Sequence, residues 1–306
     1  MQLQFNLSPL HGIIPPMVTP LVEQSKLDID GLYRLIDHIL TGGVHGLFIL
    51  GTTGEAPSLT HELRCEVIKH TCEEVDDRVP VLVGITDTSF ADSVSIACCA
   101  AESGASAVVL APPYYFPAGQ PELLEYLTHI TTQIPLPVFL YNMPSHTKLF
   151  FDPDTVRKAA NIPGIIGIKD SSADMLYFHR LQLLFKSFNE FSLLVGAEGL
   201  LAEALIMGAH GGVTGGANVF PKLYVDLYNA AVNQDMESLL ALHNKVMRID
   251  STLYSVGKHG SRTIKGVKCA LSCKGICNDF MAEPFHRFGS KEHARIKHYL
   301  EELELD

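Results

Sequence analysis

The chain has 306 residues, of which 47% are hydrophobic and 19% charged, as is ordinary for a globular protein with one large core. Its formal net charge of −11 argues against nucleic acid as a partner, because nucleic-acid binding requires clustered Lys and Arg side chains. No apolar run is long enough to span a membrane, and residues 1–5 show no basic segment followed by an apolar stretch, so we expect no membrane partner and no secretory signal.

Eight short apolar runs recur along the chain at intervals of roughly 20 to 35 residues. They cover residues 12–14, 47–50, 81–83, 107–110, 138–140, 165–168, 193–195 and 211–213. Between them lie segments of helical periodicity, in which residues such as Ile29, Leu32 and Ile36 fall on one helix face. Eight strand–helix units in succession predict a parallel sheet of the α/β class, and eight is the number that closes a (β/α)8 TIM barrel.

The residues after the eighth unit have the pattern of three further helices, over residues 236–248, 263–277 and 291–305. We therefore predict a barrel carrying the active site at residues 1–231 and a helical C-terminal appendage at residues 232–306. Cys269, Cys273 and Cys277 fall on one helix face without CxxC spacing, which favours small buried hydrophobic residues over metal ligands. The seven cysteines are an odd number without disulfide spacing, which fits a reducing cytoplasm.

Small and polar residues follow several predicted strands at their carboxyl ends. The second strand is followed by GTTGE at residues 51–55, the fourth by PYY at 113–115 and the fifth by YNMP at 141–144. The sixth strand is rich in isoleucine and ends at Lys169. Because the active site of a barrel is built at this edge, we expect these residues to converge.

Lys169 is either a solvated charge at a strand end or a reactive amine. A lysine amine attacks a ketone only when it is unprotonated, which requires a site that lowers its pKa from about 10.4. Burial at the end of an isoleucine-rich strand supplies such a site, and a neutral Lys169 could form a Schiff base that acts as an electron sink for carbon–carbon chemistry. Tyr141 on the adjacent strand could shuttle protons near this imine, and a threonine hydroxyl could relay them to a second tyrosine. The Gly-flanked turn at residues 51–54 could bind a carboxylate.

Taken together, these motifs resemble one family. Over about residues 11–300 the chain resembles the dihydrodipicolinate synthase and N-acetylneuraminate lyase superfamily, the pyruvate-dependent class I aldolases. The resemblance is carried by GTTGE at 51–55, PYY at 113–115, YNMP at 141–144 and GIKDSS at 167–172. It implies a (β/α)8 barrel, usually assembled as a homotetramer built from two dimers, and it implies no metal or organic cofactor.

The resemblance also implies roles for particular residues. Lys169 would form the imine with pyruvate or another 2-keto acid, and Tyr141 would be the acid/base beside it. Thr52 would relay protons, and Tyr115 would be the far member of the relay, lent by a neighbouring subunit across a tight dimer.

Three further residues would bind pyruvate by the same resemblance. Thr53, with the backbone N–H groups of its turn including Gly51, would hold the pyruvate carboxylate. Val213 would line the same pocket through its backbone.

Two positions bear on the second substrate. His146 stands where dihydrodipicolinate synthases usually carry an arginine, and a mostly neutral imidazole cannot make a bidentate contact to a carboxylate, which argues against aspartate semialdehyde. Sialate lyases commonly have an acidic pair and a serine on the last two loops, where this chain has Glu198, Gly199 and Gly215. We therefore expect His146 and Glu198 to contact the second substrate, and the Gly-rich segment at 211–216 to leave room for a 2-keto-3-deoxy sugar acid.

The predicted function is thus a Schiff-base-forming, pyruvate-dependent aldolase or lyase acting on a 2-keto-3-deoxy sugar acid or a related 2-keto acid. The 4-hydroxy-tetrahydrodipicolinate synthase reaction, N-acetylneuraminate cleavage, and dehydration or hydratase-aldolase chemistry from the same enamine remain alternatives. A catalytically silent barrel that acts as a binding protein belongs to a different functional class. The complete set of Lys169, Tyr141, Thr52 and Tyr115 argues against it. A metal-dependent aldolase would need convergent His and acidic ligands at strand ends, and the sequence offers no such set.

Overall fold

The barrel sheet contains eight parallel strands in the computed structural model, which describes residue 5 and residues 7–303. The strands are β1 (Gly12–Ile13), β2 (Leu47–Ile49), β3 (Val81–Gly84), β4 (Ala107–Leu110), β5 (Val138–Asn142), β6 (Ile165–Asp170), β7 (Ser192–Val195) and β8 (Gly211–Gly212). From β2 to β8 each strand pairs with the next in the chain, and β8 also pairs with β1. This is the strand order expected from the sequence.

The sheet closes on itself beyond the end of β1. The backbone N–H of Met17 donates to the carbonyl of Phe48 at 2.8 Å, and the N–H of Phe48 donates to the carbonyl of Pro15 at 3.0 Å. These bonds join the first strand to β2 in parallel. The predicted (β/α)8 barrel with C-terminal helices is therefore confirmed.

Twelve α-helices lie in the described part of the chain. They are α1 (Ile29–Thr41), α2 (His61–Val75), α3 (Phe90–Glu102), α4 (Gln120–Thr131), α5 (Pro144–Thr147), α6 (Pro153–Ala159), α7 (Met175–Phe185), α8 (Leu201–Ile206), α9 (Pro221–Val232), α10 (Met236–Ser251), α11 (Arg262–Cys273) and α12 (Ser290–Leu303). A short hairpin of Leu21–Glu23 and Lys26–Leu27, which the periodicity did not predict, lies between β1 and α1.

The second C-terminal helix is shorter than its sequence pattern predicts. We predicted a helix through Cys277, but α11 ends at Cys273 because Gly275 adopts a left-handed backbone conformation with φ of 71°. Cys277 is nevertheless buried. The predicted end of the last helix, at residue 305, lies outside the described residues.

Side chains along each strand point alternately to the two faces of the sheet, so the apolar residues form two layers, one facing the helices and one inside the barrel. In β5, Val138 and Leu140 face the helices, whereas Phe139 and Tyr141 point into the barrel. In β6, Ile168 packs in the helix-facing layer, so the next residue, Lys169, points into the barrel interior. The two strands therefore direct Tyr141 and Lys169 toward the same space.

Buried side chains of α10 and α11 belong to the same apolar cluster as the barrel helices. The division into units at residues 1–231 and 232–306 stays a prediction, and residues 1–4, 6 and 304–306 of those units lie outside the described part. Among the described residues, every helix is too short or too polar to cross a lipid bilayer.

Candidate active site

Lys169 lies in the interior of the barrel near the carboxyl end of β6. It stands in register with Tyr141 on β5 and with Leu194 on β7. The residue is 5% exposed, and its amine lies 4.1 Å from the centre of the Tyr141 ring and 4.9 Å from that of Phe48. The amine is thus enclosed by aromatic rings rather than by carboxylates.

This environment changes the protonation of Lys169. Burial lowers the pKa of its amine from the ordinary value of 10.5, and the neighbouring Tyr141 hydroxyl opposes part of that effect. Desolvation dominates because it disfavours the charged ammonium form. The neutral, nucleophilic amine is therefore more accessible at a given pH than on a solvated lysine.

Tyr141 is held in place by two contacts. Its hydroxyl lies 3.2 Å from Oγ1 of Thr52, within hydrogen-bond distance. Its ring meets that of Phe48 edge to face, with centroids 6.3 Å apart and planes at 88°. The structure thus brings Thr52, Tyr141 and Lys169 together.

The loop that carries Thr52 has unusual backbone geometry. Leu50 and Glu55, the residues on either side of it, have positive φ angles of 56° and 57°. Such conformations cost a residue other than glycine about 1 to 2 kcal/mol each, so surrounding contacts must stabilise them. Backbone bonds within the loop, from Glu55 N–H to the Thr52 carbonyl at 3.1 Å, supply part of that stabilisation.

A buried ion pair fixes the far end of this loop. The Glu55 carboxylate pairs with the amine of Lys268 on α11, and both side chains are almost completely buried. Glu55 also accepts a hydrogen bond from Ala282 N–H at 2.9 Å, and Lys268 donates to the carbonyl of Phe280 at 2.7 Å. The C-terminal helices therefore position the loop that carries Thr52, a function that the sequence pattern did not reveal.

The polar residues that follow Tyr141 and Lys169 brace the two strand ends. The buried Asp170 carboxylate accepts hydrogen bonds from Asn142 Nδ2 at 2.8 Å and from Ser172 Oγ at 2.9 Å. Asn142 Oδ1 in turn accepts from the N–H of Phe151 at 3.2 Å. Burial raises the pKa of Asp170, and these hydrogen bonds oppose that rise.

A cavity of about 640 Å³ opens at the carboxyl ends of the strands, and we call it the catalytic cavity. Its lining includes four residues singled out from the sequence, Gly51, Thr52, Tyr141 and His146. Burial lowers the pKa of His146, so its imidazole is neutral at neutral pH. Lys169 does not line the cavity itself. The rings of Phe48 and Tyr141, which surround its amine, do line it.

Four other predicted residues do not line this cavity. Thr53 is half-buried in the loop beside Thr52. Val213 is buried in the barrel interior, where its N–H donates to the carbonyl of Val195 at 2.8 Å. Tyr115 is 76% exposed and packs edge to face against Phe116.

Glu198 is the fourth, and its carboxylate is engaged within the protein. It accepts hydrogen bonds from Gly216 N–H at 2.9 Å and from the Tyr224 hydroxyl at 3.2 Å. Burial raises the pKa of this carboxyl group. The structure therefore directs Glu198 toward the Gly215–Asn218 turn and α9 rather than toward the catalytic cavity.

Sequence reasoning missed several residues that line the cavity. Tyr114 lies in the PYY motif that was expected at this edge, but the sequence assigned a role only to Tyr115. Others come from the C-terminal part of the chain, namely His259, Gly260, Ser261, Ile264 and Phe285. The sequence does contain a signal for this segment, because basic residues cluster between glycines at residues 257–266.

Outside the lining of the catalytic cavity, one cluster of side chains consists of residue types that bind metal ions. Ligand atoms of Cys269, Cys273 and His293 all lie within 4.8 Å of one another, with Cys273 Sγ 3.5 Å from His293 Nε2. Thiolate and imidazole suit Zn²⁺, but burial raises the pKa values of both thiols, so a metal would have to displace their protons. Cys269 is buried, as predicted, and Cys273 is half-buried.

Comparisons with known proteins agree on one family. The model of the "Dihydrodipicolinate synthetase family" matches residues 9–303. The structure of a dihydrodipicolinate synthase from Bacteroides thetaiotaomicron aligns with a TM-score of 0.94 at 56% identity, covering 96% of this chain and 99% of that one. YagE, a dihydrodipicolinic acid synthase family protein from E. coli K12 in complex with pyruvate, aligns with a TM-score of 0.92 at 28% identity over 97% and 100% of the two chains. A 4-hydroxy-tetrahydrodipicolinate synthase from Polynucleobacter asymbioticus is 32% identical over 250 residues, 80% of each chain.

Proposed function

The chain belongs to the dihydrodipicolinate synthetase family, and from that premise we propose that Lys169 forms an imine with pyruvate, beside which a carbon–carbon bond is made or broken. The chain is a carbon–carbon lyase of the class I aldolase type. One observation carries the residue assignment: a buried lysine amine lies 4.1 Å from the centre of the Tyr141 ring, and the hydroxyl of that tyrosine lies 3.2 Å from Thr52.

The first step of the mechanism is imine formation. The neutral Lys169 amine attacks the keto carbon of pyruvate, and the carbonyl oxygen leaves as water after two protons have reached it. The Tyr141 hydroxyl is the proton donor and acceptor beside the amine, and Thr52 passes the proton onward. The turn with Gly51 and Thr53 would hold the pyruvate carboxylate through its backbone N–H groups.

The second step uses the imine as an electron sink. In the synthetic direction, Tyr141 in its deprotonated form accepts a methyl proton from bound pyruvate, and the resulting enamine carbon attacks the aldehyde carbon. Tyr141 returns a proton to the new alkoxide, and water then releases the product from Lys169. Cleavage runs through the same steps in reverse.

The second substrate has two candidates. A neutral His146 lines the catalytic cavity and supplies no cationic fork at this position, which favours the hydroxylated aldehyde that forms a 2-keto-3-deoxy sugar acid with pyruvate. The names of relatives favour the 4-hydroxy-tetrahydrodipicolinate synthase reaction with aspartate semialdehyde. Cleavage of N-acetylneuraminate has less support, because the Glu198 carboxylate is occupied by Gly216 and Tyr224.

The proposal includes a homotetramer built from two dimers, with Tyr115 crossing to the neighbouring active site. Its support is the position of Tyr115 and Phe116, which are 76% and 79% exposed. Two adjacent exposed aromatic rings are typical of an interaction surface. A second copy of the chain could thus supply the tyrosine that Thr52 needs as a relay partner.

A cytoplasmic location is also part of the proposal. All seven cysteines of the chain are free thiols in the structure. Free thiols persist in reducing compartments.

Borohydride trapping tests the proposed function. The enzyme is incubated with pyruvate, reduced with borohydride, and mapped by peptide mass spectrometry. We expect a pyruvate-derived adduct on Lys169, and no adduct in Lys169→Arg or when pyruvate is omitted. A folded wild-type protein that gives no adduct, or an adduct on another lysine, would refute the mechanism and favour a catalytically silent barrel.

A further inference from the structure

A second cavity, of about 390 Å³, lies between the residues before α11 and the segment before α12. We call it the cationic cavity. Its charged lining consists of Lys258, His259, Arg262, Lys265, Arg287 and Glu292. Four permanently cationic side chains thus face one carboxylate, in a chain whose net charge is −11.

Most of these cations lack a paired carboxylate among the residues that the structure describes. Among the residues that the structure describes, Lys258, Arg262 and Lys265 have no carboxylate oxygen within 4.0 Å. Arg287 lies 3.5 Å from Asp279, which is its one such contact. Three like charges, none of them paired with a carboxylate, repel one another, so an anion bound among them would stabilise the cluster.

Ser261 provides a second, independent observation. It is 7% exposed, yet its hydroxyl makes no hydrogen bond to another described residue and does not cap α11, the helix that follows it. The same residue lines the cationic cavity. A largely buried serine, whose hydroxyl has no partner among the described residues and which precedes a helix of 12 residues, offers a donor to an oxyanion.

The two cavities adjoin each other. Ser261 and His259 line both the cationic cavity and the catalytic cavity that contains Thr52 and Tyr141. A molecule bound in the catalytic cavity could therefore extend past Ser261 toward Arg262 and Lys265.

We propose that the second substrate carries an oxyanion, a carboxylate or a phosphate, at the end remote from its reacting carbon, and that this group binds in the cationic cavity. This inference rests on the proposed function and adds to it the chemical class of the substrate. Arg262 and Lys265 bind the anion, and Ser261 donates a hydrogen bond to it. Because the remote anion contributes to substrate binding, a substrate without it should have a higher KM and a similar kcat.

Two matched pairs of aldehydes test the proposal with pyruvate as the co-substrate. One pair is D-glyceraldehyde and D-glyceraldehyde 3-phosphate, and the other is butanal and 4-oxobutanoate. We expect the charged member of at least one pair to have a kcat/KM higher by about tenfold or more, mostly through KM. The pair that shows the difference identifies the anion as phosphate or carboxylate.

The double variant Arg262→Gln/Lys265→Gln should lose the preference for the charged aldehyde. The matched control is Arg157→Gln/Lys158→Gln, which removes the same two charges from the exposed face of α6. Calorimetry with inorganic phosphate and with succinate gives a readout that needs no turnover. We expect millimolar or tighter binding of one anion by the wild type and by the control, weakened by about tenfold or more in Arg262→Gln/Lys265→Gln.

The proposal fails if neither anion binds the wild type, or if the preference and the binding survive in Arg262→Gln/Lys265→Gln. Trapping with pyruvate alone is measured on every variant. A wild type that traps pyruvate but shows no anion preference and no anion binding would refute this inference while leaving the proposed function intact. A wild type that does not trap pyruvate would refute the proposed function itself.

Discussion

Tyr141 and Lys169 lie directly opposite each other on neighbouring parallel strands, with the lysine amine 4.1 Å from the centre of the tyrosine ring. Their register, rather than a flexible loop, sets this distance. A geometry set by paired strands of a buried sheet changes little with thermal motion, which suits the proposed proton transfer between the two side chains. The first three predictions concern this pair.

Imine formation at Lys169 should increase with pH through a midpoint below 10.5, because burial lowers the pKa of the amine and the neutral form is the nucleophile. The rate of borohydride-trapped adduct formation with pyruvate, measured against pH, checks this. A midpoint at or above 10.5 would contradict it. The same lowered pKa means that the unfolded chain binds more protons between the folded and unfolded pKa values, so stability rises with pH across that interval.

Lys169→Met should therefore raise the melting temperature, by about 2 °C or more, at a pH below the folded pKa of Lys169. The gain should shrink as the pH approaches 10.5, where the buried amine of the wild type is already neutral. Calorimetric scans of both proteins at several pH values would show this trend. A gain that is independent of pH would indicate a packing effect instead.

Tyr141→Phe should lower kcat by about a hundredfold or more, since it removes the hydroxyl and keeps the ring. Because that hydroxyl raises the pKa of Lys169, the midpoint of adduct formation should also move to lower pH. The matched control is Tyr299→Phe, the same change on α12, which should alter neither quantity. An unchanged midpoint in Tyr141→Phe would show that the hydroxyl does not act on the amine.

Gly196→Ala should slow adduct formation by about a hundredfold, as is typical of a displaced catalytic group. A β-carbon at Gly196 would lie 1.9 Å from Ser171 Oγ and 2.9 Å from Cε of Lys169, so the lysine would have to move. Gly119→Ala is the control, because its added carbon meets neighbours no closer than 3.4 Å. Equal rates in the wild type and Gly196→Ala would show that the lysine tolerates this displacement.

Lys268→Met should destabilise the protein by about 3 to 5 kcal/mol, because it leaves the Glu55 carboxylate buried without its partner. Glu55→Gln/Lys268→Met should recover a substantial part of that loss. Denaturant unfolding of the two single variants and the double variant measures the coupling. Lys222→Met, which breaks an exposed pair with Asp226, should have little effect.

Tyr115→Ala/Phe116→Ala should yield a smaller species than the wild type if these rings form the proposed interface. Light scattering on a sizing column reports the mass against 33.5 kDa for one chain. We expect kcat to fall together with the assembled mass, since the relay would lose its far tyrosine. A wild type that remains a single chain at working concentration would contradict the proposed tetramer.

Much of the barrel could be predicted because its signals are local. Apolar runs of strand length alternate with amphipathic helices, so strand number and order follow from periodicity. The errors occurred where one residue conformation decides, as at Gly275, which ends α11 a turn before Cys277. The hairpin at residues 21–27 is too short to give a periodic pattern.

The sequence by itself determined which residues lie at the centre of the barrel: a lysine at the end of an isoleucine-rich strand, a tyrosine on the strand before it, and a Gly-Thr turn earlier in the chain. These residues lie at predictable ends of consecutive strands, so topology alone brings them together.

Only the tertiary structure decided which of the other polar residues face the cavity. It directs Glu198 into a hydrogen-bonded turn, pairs Glu55 with Lys268, and places a cationic cavity beside the catalytic one at Ser261. Ala282 and Glu55, which are hydrogen-bonded, are 227 residues apart in the chain. Contacts between such distant residues depend on how the C-terminal helices pack against the barrel, and no local pattern of residues encodes that packing.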